Sequence, residues 1–272
     1  MSADTTHAAN ATAYGRGGMC CLVAGQVVFA GSGPGDPDLL TIKALRALQE
    51  ADVVLHDRLV SADILALAGP QAVLEDAGKE GFGAQVSQAD INARLVALAK
   101  QGLKVLRLKG GDPAIFARLD EELTACEDAG IAYSIIPGIT AASAAVAAIG
   151  QSLTQRGRNT SVRFLTGHAM TGFADHDWAA LARPGEVAAV YMGKKSARFV
   201  QGRLIMHGAD RTTPVTIIEN ASRPDQRVLE TNLDRLPADL DAAGFDGPAL
   251  TFLGLAPRKA VSALNDLKTE LA

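Results

Sequence analysis

Two α/β domains are predicted from three observations. From Gln26 onward, short β-rich runs alternate with longer helical patterns, the order that builds a parallel-rich sheet covered by helices. Glycine-bearing turns follow several of those runs, at Gly31 to Gly35, Gly110 and Gly111, Gly138, Gly193 and Gly254. In open α/β sheets ligands bind beyond the carboxyl ends of the strands, so these turns are where a ligand is expected. The length, 272 residues, suffices for two modest domains that each bury most of their apolar surface.

Residues 1–24 lack a basic start followed by an apolar run, so they read as a disordered tail and not as a signal peptide. Strands are then predicted at "QVVFAG", "DVVLHD", "LKVLRLK" and "YSIIP", with helices over 38–49 and 87–100 between them. Ser87 is a natural N-cap, with Asp90 three residues on as an acidic form of the capping box. The small-residue run "TAASAAVAAIG" predicts a closely packed helix over 140–150, and the Gly- and Arg-rich "QRGRNT" after it reads as a linker. A second series follows: "SVRFLTG", "EVAAVYMG", "PVTIIEN", "RVLET" and "PALTFLG", with a helix over 194–206. The Pro-Asp turn between "PVTIIEN" and "RVLET" predicts an antiparallel hairpin, so the two halves differ in topology. The domains are placed at 25–140 and 161–272, joined by a linker at 141–160.

Composition removes several functions. Lys and Arg number 26 against 30 Asp and Glu, a net charge of −4, which withholds the basic field that nucleic-acid binders use to collect phosphates. Aromatic residues are 4% of the chain, too few for a base-stacking platform. Neither nucleic acid nor membrane is expected as a partner, since no apolar stretch reaches the roughly 18 residues of a membrane span. Three cysteines, Cys20, Cys21 and Cys126, form no disulfide framework, which fits a reducing, cytoplasmic setting. The five histidines, His7, His56, His168, His176 and His207, show no metal-ligand spacing, so no catalytic metal is expected.

The first glycine turn, "FAGSGPGDPDLLT", stands where a phosphate loop would stand, yet Pro34 removes a backbone donor and Asp36 brings a negative charge. Its spacing also departs from G-x-G-x-x-G. The second turn, "LKGGDP", repeats the Gly-Asp-Pro triplet after another strand. Asp36 and Asp112 could each simply cap a helix. A ligand with a positive centre and donor hydroxyls also suits such turns, and S-adenosylmethionine has both.

Together "GSGPGDPDLLT", "ADVVLHDRLVS", "VLRLKGGDP", "PGITAASAA", "TGH", "VYMG", "ENASRPDQRV" and "GPALTFLG" resemble, in this order, the uroporphyrinogen-III C-methyltransferase branch of the tetrapyrrole methylase family. The resemblance implies two α/β domains of the tetrapyrrole methylase type, a homodimer, and S-adenosylmethionine bound in an interdomain cleft. The implied reaction methylates uroporphyrinogen III at carbons 2 and 7, giving precorrin-2. It also implies cofactor contacts at Pro34, Gly110, Gly111, Asp112, Ile115, Thr140, Ala141, Met192 and Ala221. Asp57 and Lys79 match the family's acid and base positions, and a carboxylate base suits a methylated pyrrole that must lose a proton. The substrate carries eight carboxylates while the chain is acidic, so cations must meet it locally; Arg118, Arg156 and Lys79 are the expected ones, with Glu121 orienting Arg118.

The chain departs from the family where "GGDPAIFARLDEE" places Ala114, Ala117, Leu119 and Asp120 at positions commonly held by Phe and glycines, and where Gln155 and Gly157 stand in "TQRG". These positions are expected to face the tetrapyrrole. With no room for a fused dehydrogenase, a lone methylase is expected. The alternatives are a methylase acting on a later precorrin of the cobalamin pathway and a non-catalytic ligand-binding regulator of the same fold.

Overall fold

The computed structural model describes residues 22–78 and 87–259. The chain divides between Ile139 and Thr140 into two compact units. The first contains β1 (Val27–Gly31), α1 (Ile42–Glu50), β2 (Val53–His56), α2 (Ala62–Leu65), β3 (Val73–Asp76), α3 (Gln88–Lys100), β4 (Val105–Lys109), α4 (Leu119–Asp128) and β5 (Tyr133–Ile136). Its five strands are all parallel, in the order β3-β2-β4-β1-β5. Helices cover both faces of a parallel sheet, and β1 and β4 are accordingly buried along their whole length. On one face Val28, Ala30, Val54 and Leu106 pack against Ala44, Leu48 and Ile64 of α1 and α2. On the other, Val27, Phe29, Leu55 and Val105 pack against Leu95 and Leu98 of α3 and Cys126 of α4.

The capping box at Ser87 forms as expected, with the Ser87 and Asp90 side chains each bonded to the other's backbone N–H. The helix expected from residue 38 begins instead at Ile42. Asp36 caps a 3-10 turn over Pro37–Leu39, and Thr41 then caps α1 by accepting from the Ala44 N–H. Edge strand β3 carried too weak a signal to be expected: "VLED" has two apolar residues, both exposed, and it pairs on one side only. Of the tail expected over 1–24, residues 22–24 are described, and Leu22 is buried in the first unit's core.

The second unit contains α5 (Ala141–Ala148), β6 (Arg163–Thr166), α6 (Trp178–Leu181), β7 (Ala188–Tyr191), α7 (Ala197–Met206), β8 (Pro214–Glu219), β9 (Arg227–Asn232), α8 (Leu236–Ala243) and β10 (Ala249–Leu253). The helix expected over 140–150 is α5, so the span 141–160 placed between the domains holds that helix as well as the turn at "QRGRNT". Ala142, Ala145 and Ile149 bury against Ala189, Ile218 and Phe252, because methyl side chains let that helix lie close on the sheet. The sheet order is β6-β7-β10-β8-β9. The β8–β9 pair is the antiparallel hairpin expected, in register from Pro214 with Asn232 to Glu219 with Arg227. Strands β7 and β8 are both antiparallel to β10, and β6 is parallel to β7, so β6, β7 and β8 end on one rim.

Candidate active site

The carboxyl ends of β1, β4 and β5 meet through glycines. A Cβ at Gly31 would stand 2.5 Å from the Gly111 carbonyl oxygen, and one at Gly138 would stand 2.2 Å from the same atom. No relaxation of a side chain relieves either contact, since the obstacle is backbone. Gly33 and Gly111 exchange hydrogen bonds, N to O at 3.1 and 2.8 Å. Asp112 braces the same junction: one carboxylate oxygen accepts from the Ala114 N–H at 2.8 Å and the other from the Gly138 N–H at 3.1 Å. Gly138→Ala is therefore expected to destabilise the protein by about 1 to 3 kcal/mol, as overpacking does. Urea unfolding measures this, and an unchanged midpoint would refute the close approach.

Strand β4 places Arg107 and Lys109 two residues apart, on the same face, inside a strand that is buried throughout. Two cations there need countercharges, and they come from two other elements. Glu122 of α4 accepts from Arg107 Nε at 2.9 Å and from Lys109 Nζ at 2.6 Å, with Gln88 Nε2 at 3.3 Å. Asp57, just past β2, accepts from Arg107 Nη2 at 2.5 Å through Oδ1, while its Oδ2 faces the Gly110 N–H at 3.4 Å. Burial pushes the Lys109 ammonium below the ordinary lysine range, and the neighbouring Arg107 charge adds to the effect.

Between Gly111 and α4 the backbone takes the left-handed region at Phe116 (φ 50°) and at Arg118 (φ 54°), which opens α4 without a side-chain cap. Left-handed backbone in non-glycine residues costs roughly 1 to 2 kcal/mol each. Arg118 grips Glu121 with two bonds of 2.7 Å, and this hydrogen bonding raises the arginine pKa and lowers the glutamate one. The pair is exposed.

In the second unit the expected residues gather at the common rim of β6, β7 and β8. Met192 follows β7 with φ 56° and is half-exposed, and Ala221 is buried after β8 between Asn220 and Ser222, both left-handed. Thr140 opens α5, and its hydroxyl bonds the Tyr191 hydroxyl at 2.5 Å, which also lies 3.3 Å from the Ala142 N–H. Tyr191 so ties the start of α5 to the strand end that carries Met192.

The first unit thus brings together Pro34, Asp57, Gly110, Gly111, Asp112 and Ile115 at its strand ends, with Arg118 and Glu121 at the start of α4. The second brings together Thr140, Ala141, Met192 and Ala221. Arg156 is exposed in the turn between Gln155 and Asn159. Lys79 lies outside the described residues, as do His7, Cys20 and Cys21. Arg107, Lys109, Glu122 and Tyr191 were not anticipated. The signal for the first three was legible in "VLRLK", where charges at i and i+2 in a doubly buried strand demand a buried acid opposite. Among the described residues no cluster of three or more His, Cys, Asp or Glu could hold a metal ion, and no helix is long and apolar enough to cross a membrane.

Comparison with known proteins agrees in scale with this architecture. The profile of the Tetrapyrrole (Corrin/Porphyrin) Methylases matches residues 26–237. A uroporphyrinogen-III C-methyltransferase from Sinorhizobium sp. is 44% identical over 87% of this chain and 85% of its own. A siroheme synthase from Methylococcus capsulatus is 45% identical over 85% of this chain but 49% of its own length, so the chain spans about half of that relative. Among solved structures, a uroporphyrin-III C-methyl transferase from Thermus thermophilus complexed with S-adenyl homocysteine is similar at TM-score 0.69 and 33% identity, covering 88% of this chain and 99% of that one.

Proposed function

Because the chain belongs to the tetrapyrrole (corrin/porphyrin) methylase family, we propose that it methylates uroporphyrinogen III at carbons 2 and 7, with S-adenosylmethionine as donor, to give precorrin-2. The observation that carries this reading is Asp57, a carboxylate set at the end of β2, partly open to solvent and 3.4 Å from the N–H of the Gly110 turn. S-adenosylmethionine supplies an electrophilic methyl group. The chain's part is to hold that donor, to hold an acidic substrate, and to take the proton that the cationic macrocycle releases from a pyrrole nitrogen or an adjoining bridge carbon, since carbons 2 and 7 already bear side chains and hold no hydrogen.

The residues fit such a donor. Asp112 offers carboxylate lone pairs beyond the two that its backbone partners use, and the turns at Gly33 to Gly35 and Gly110 to Gly111 offer carbonyl oxygens to ribose hydroxyls and to a cationic centre. Met192 and Ala221 supply a soft, small-residue wall. Arg118 and Arg156, both exposed, are the cations this reading gives to the substrate carboxylates. Arg118 serves as a permanent cation and not as a base, since a guanidinium keeps its proton. The same reading takes the working form to be a cytoplasmic homodimer, which sedimentation at assay concentration checks.

Anaerobic incubation with uroporphyrinogen III and methyl-labelled S-adenosylmethionine tests the proposal, the expected result being two labelled methyl groups per tetrapyrrole. Binding of both ligands without transfer would instead identify a regulator, and transfer only to a later precorrin would reassign the substrate. Asp112→Asn is expected to weaken donor binding about tenfold or more, the equivalent of losing one charge-assisted hydrogen bond. It should lower stability as well, because the amide NH2 would face a backbone N–H. Calorimetry with S-adenosylhomocysteine separates the two: reduced stability with affinity unchanged within twofold would leave Asp112 as a brace for the turn alone.

A further inference from the structure

The four-charge cluster beside β4 is larger than one ion pair needs, and a single member of it reaches solvent. Side-chain exposures are 2% for Arg107 and Lys109 and 0% for Glu122, against 31% for Asp57. Burying three charges is costly, and well-packed apolar residues in such positions are often at least as stable. Stability therefore does not account for the cluster. We propose that Arg107 is the positioning residue for Asp57, anchored in turn by Glu122 and Lys109. The inference rests on the base role given to Asp57 above.

The donors of Arg107 are engaged on three sides. Nε bonds Glu122, Nη2 bonds Asp57, and Nη1 points to the carbonyls of Leu55 at 3.4 Å and Leu108 at 3.5 Å. A planar fork bonded in this way cannot swing without breaking several bonds. Glu122 is held by Lys109 and Gln88 as well as by Arg107, so the anchor is itself fixed. Lys109 offsets the second carboxylate, which leaves the cluster neutral with two cations and two acids. Asp57 Oδ1 is consequently pinned toward the sheet, and Oδ2 is turned to the Gly110 side. His56 and Arg58, its chain neighbours, bond elsewhere, to the carbonyls of Asp57 and Gly78. A group that must meet the proton released by the methylated macrocycle gains rate from being held in one place.

Arg107→Lys tests this, because it keeps the buried charge but removes the fork. The expected result is a roughly 10- to 100-fold fall in kcat, the scale of a misplacement near 1 Å. KM for uroporphyrinogen III and affinity for S-adenosylhomocysteine should stay within about twofold of the parent, since neither ligand is bound by Arg107. Introduced into Asp57→Asn, the same change should have no further effect on kcat, because there is no longer a base to place. Glu122→Asp, which withdraws the anchor by one methylene at constant charge, should show the same non-additivity if the lysine variant folds poorly. A wild-type kcat in Arg107→Lys, or a full multiplicative loss in the Asp57→Asn background, overturns the inference and leaves the base role standing. Wild-type turnover by Asp57→Asn alone overturns the base role itself, so the two failures are told apart by that single variant.

Discussion

Glu122→Gln is expected to destabilise the protein by about 3 to 5 kcal/mol at neutral pH, the cost of leaving buried charge without its partner. Glu122 is fully buried and is the carboxylate bonded to both Arg107 and Lys109. The glutamine has almost the same volume, so the loss reports charge and not packing. Its pH dependence follows from Lys109, whose folded-state pKa already lies below the ordinary lysine range through burial. A lysine with a depressed folded pKa binds fewer protons when folded than when unfolded, so stability rises with pH across that interval. Removing Glu122 withdraws an interaction that favours the ammonium and widens the interval downward. The deficit should therefore be greatest at neutral pH and shrink as the pH is raised into the alkaline range, where Lys109 is neutral in both states. Arg107 keeps its charge throughout, so part of the deficit should persist. Urea unfolding of both proteins over a pH series measures it, and a deficit that grows with pH would contradict the placement of Lys109 in the cluster.

Asp57→Asn is expected to lower kcat by about 10² to 10⁴, the usual contribution of a positioned general base. The amide keeps an oxygen for Arg107 and has nearly the same shape, yet it takes no proton. Affinity for S-adenosylhomocysteine and the unfolding midpoint should change far less than turnover. Single-turnover kinetics with labelled donor checks this directly. A raised KM with unchanged kcat would move Asp57 from proton transfer to substrate binding.

Local patterns carried the elements that have strong signals. The apolar runs of β1, β2, β4 and β5 and the turn at Pro224 and Asp225 were legible because strand periodicity and turn chemistry are written in adjacent residues. The capping box at Ser87 is legible for the same reason. Edge strand β3 was not, since exposed "VLED" acquires its strand character from pairing with β2. The late start of α1 was missed because Asp36 and Thr41 are both good caps, and only the packed turn chooses between them.

The site divides along the same line. From "GSGPGDP", "HDRLV" and "LKGGDP" come the glycine turns, the acids and the family, because those are chemistries of single segments. What holds the acids was decided by the tertiary structure. Asp57, Arg107 and Glu122 come from three different elements, and Asp112 spends its carboxylate on the N–H groups of Ala114 and Gly138. Charges in a buried strand must be neutralised from wherever the sheet and its helices bring a carboxylate, and a contact between Lys109 and Glu122, or between Thr140 and Tyr191, exists only once the chain between them has folded.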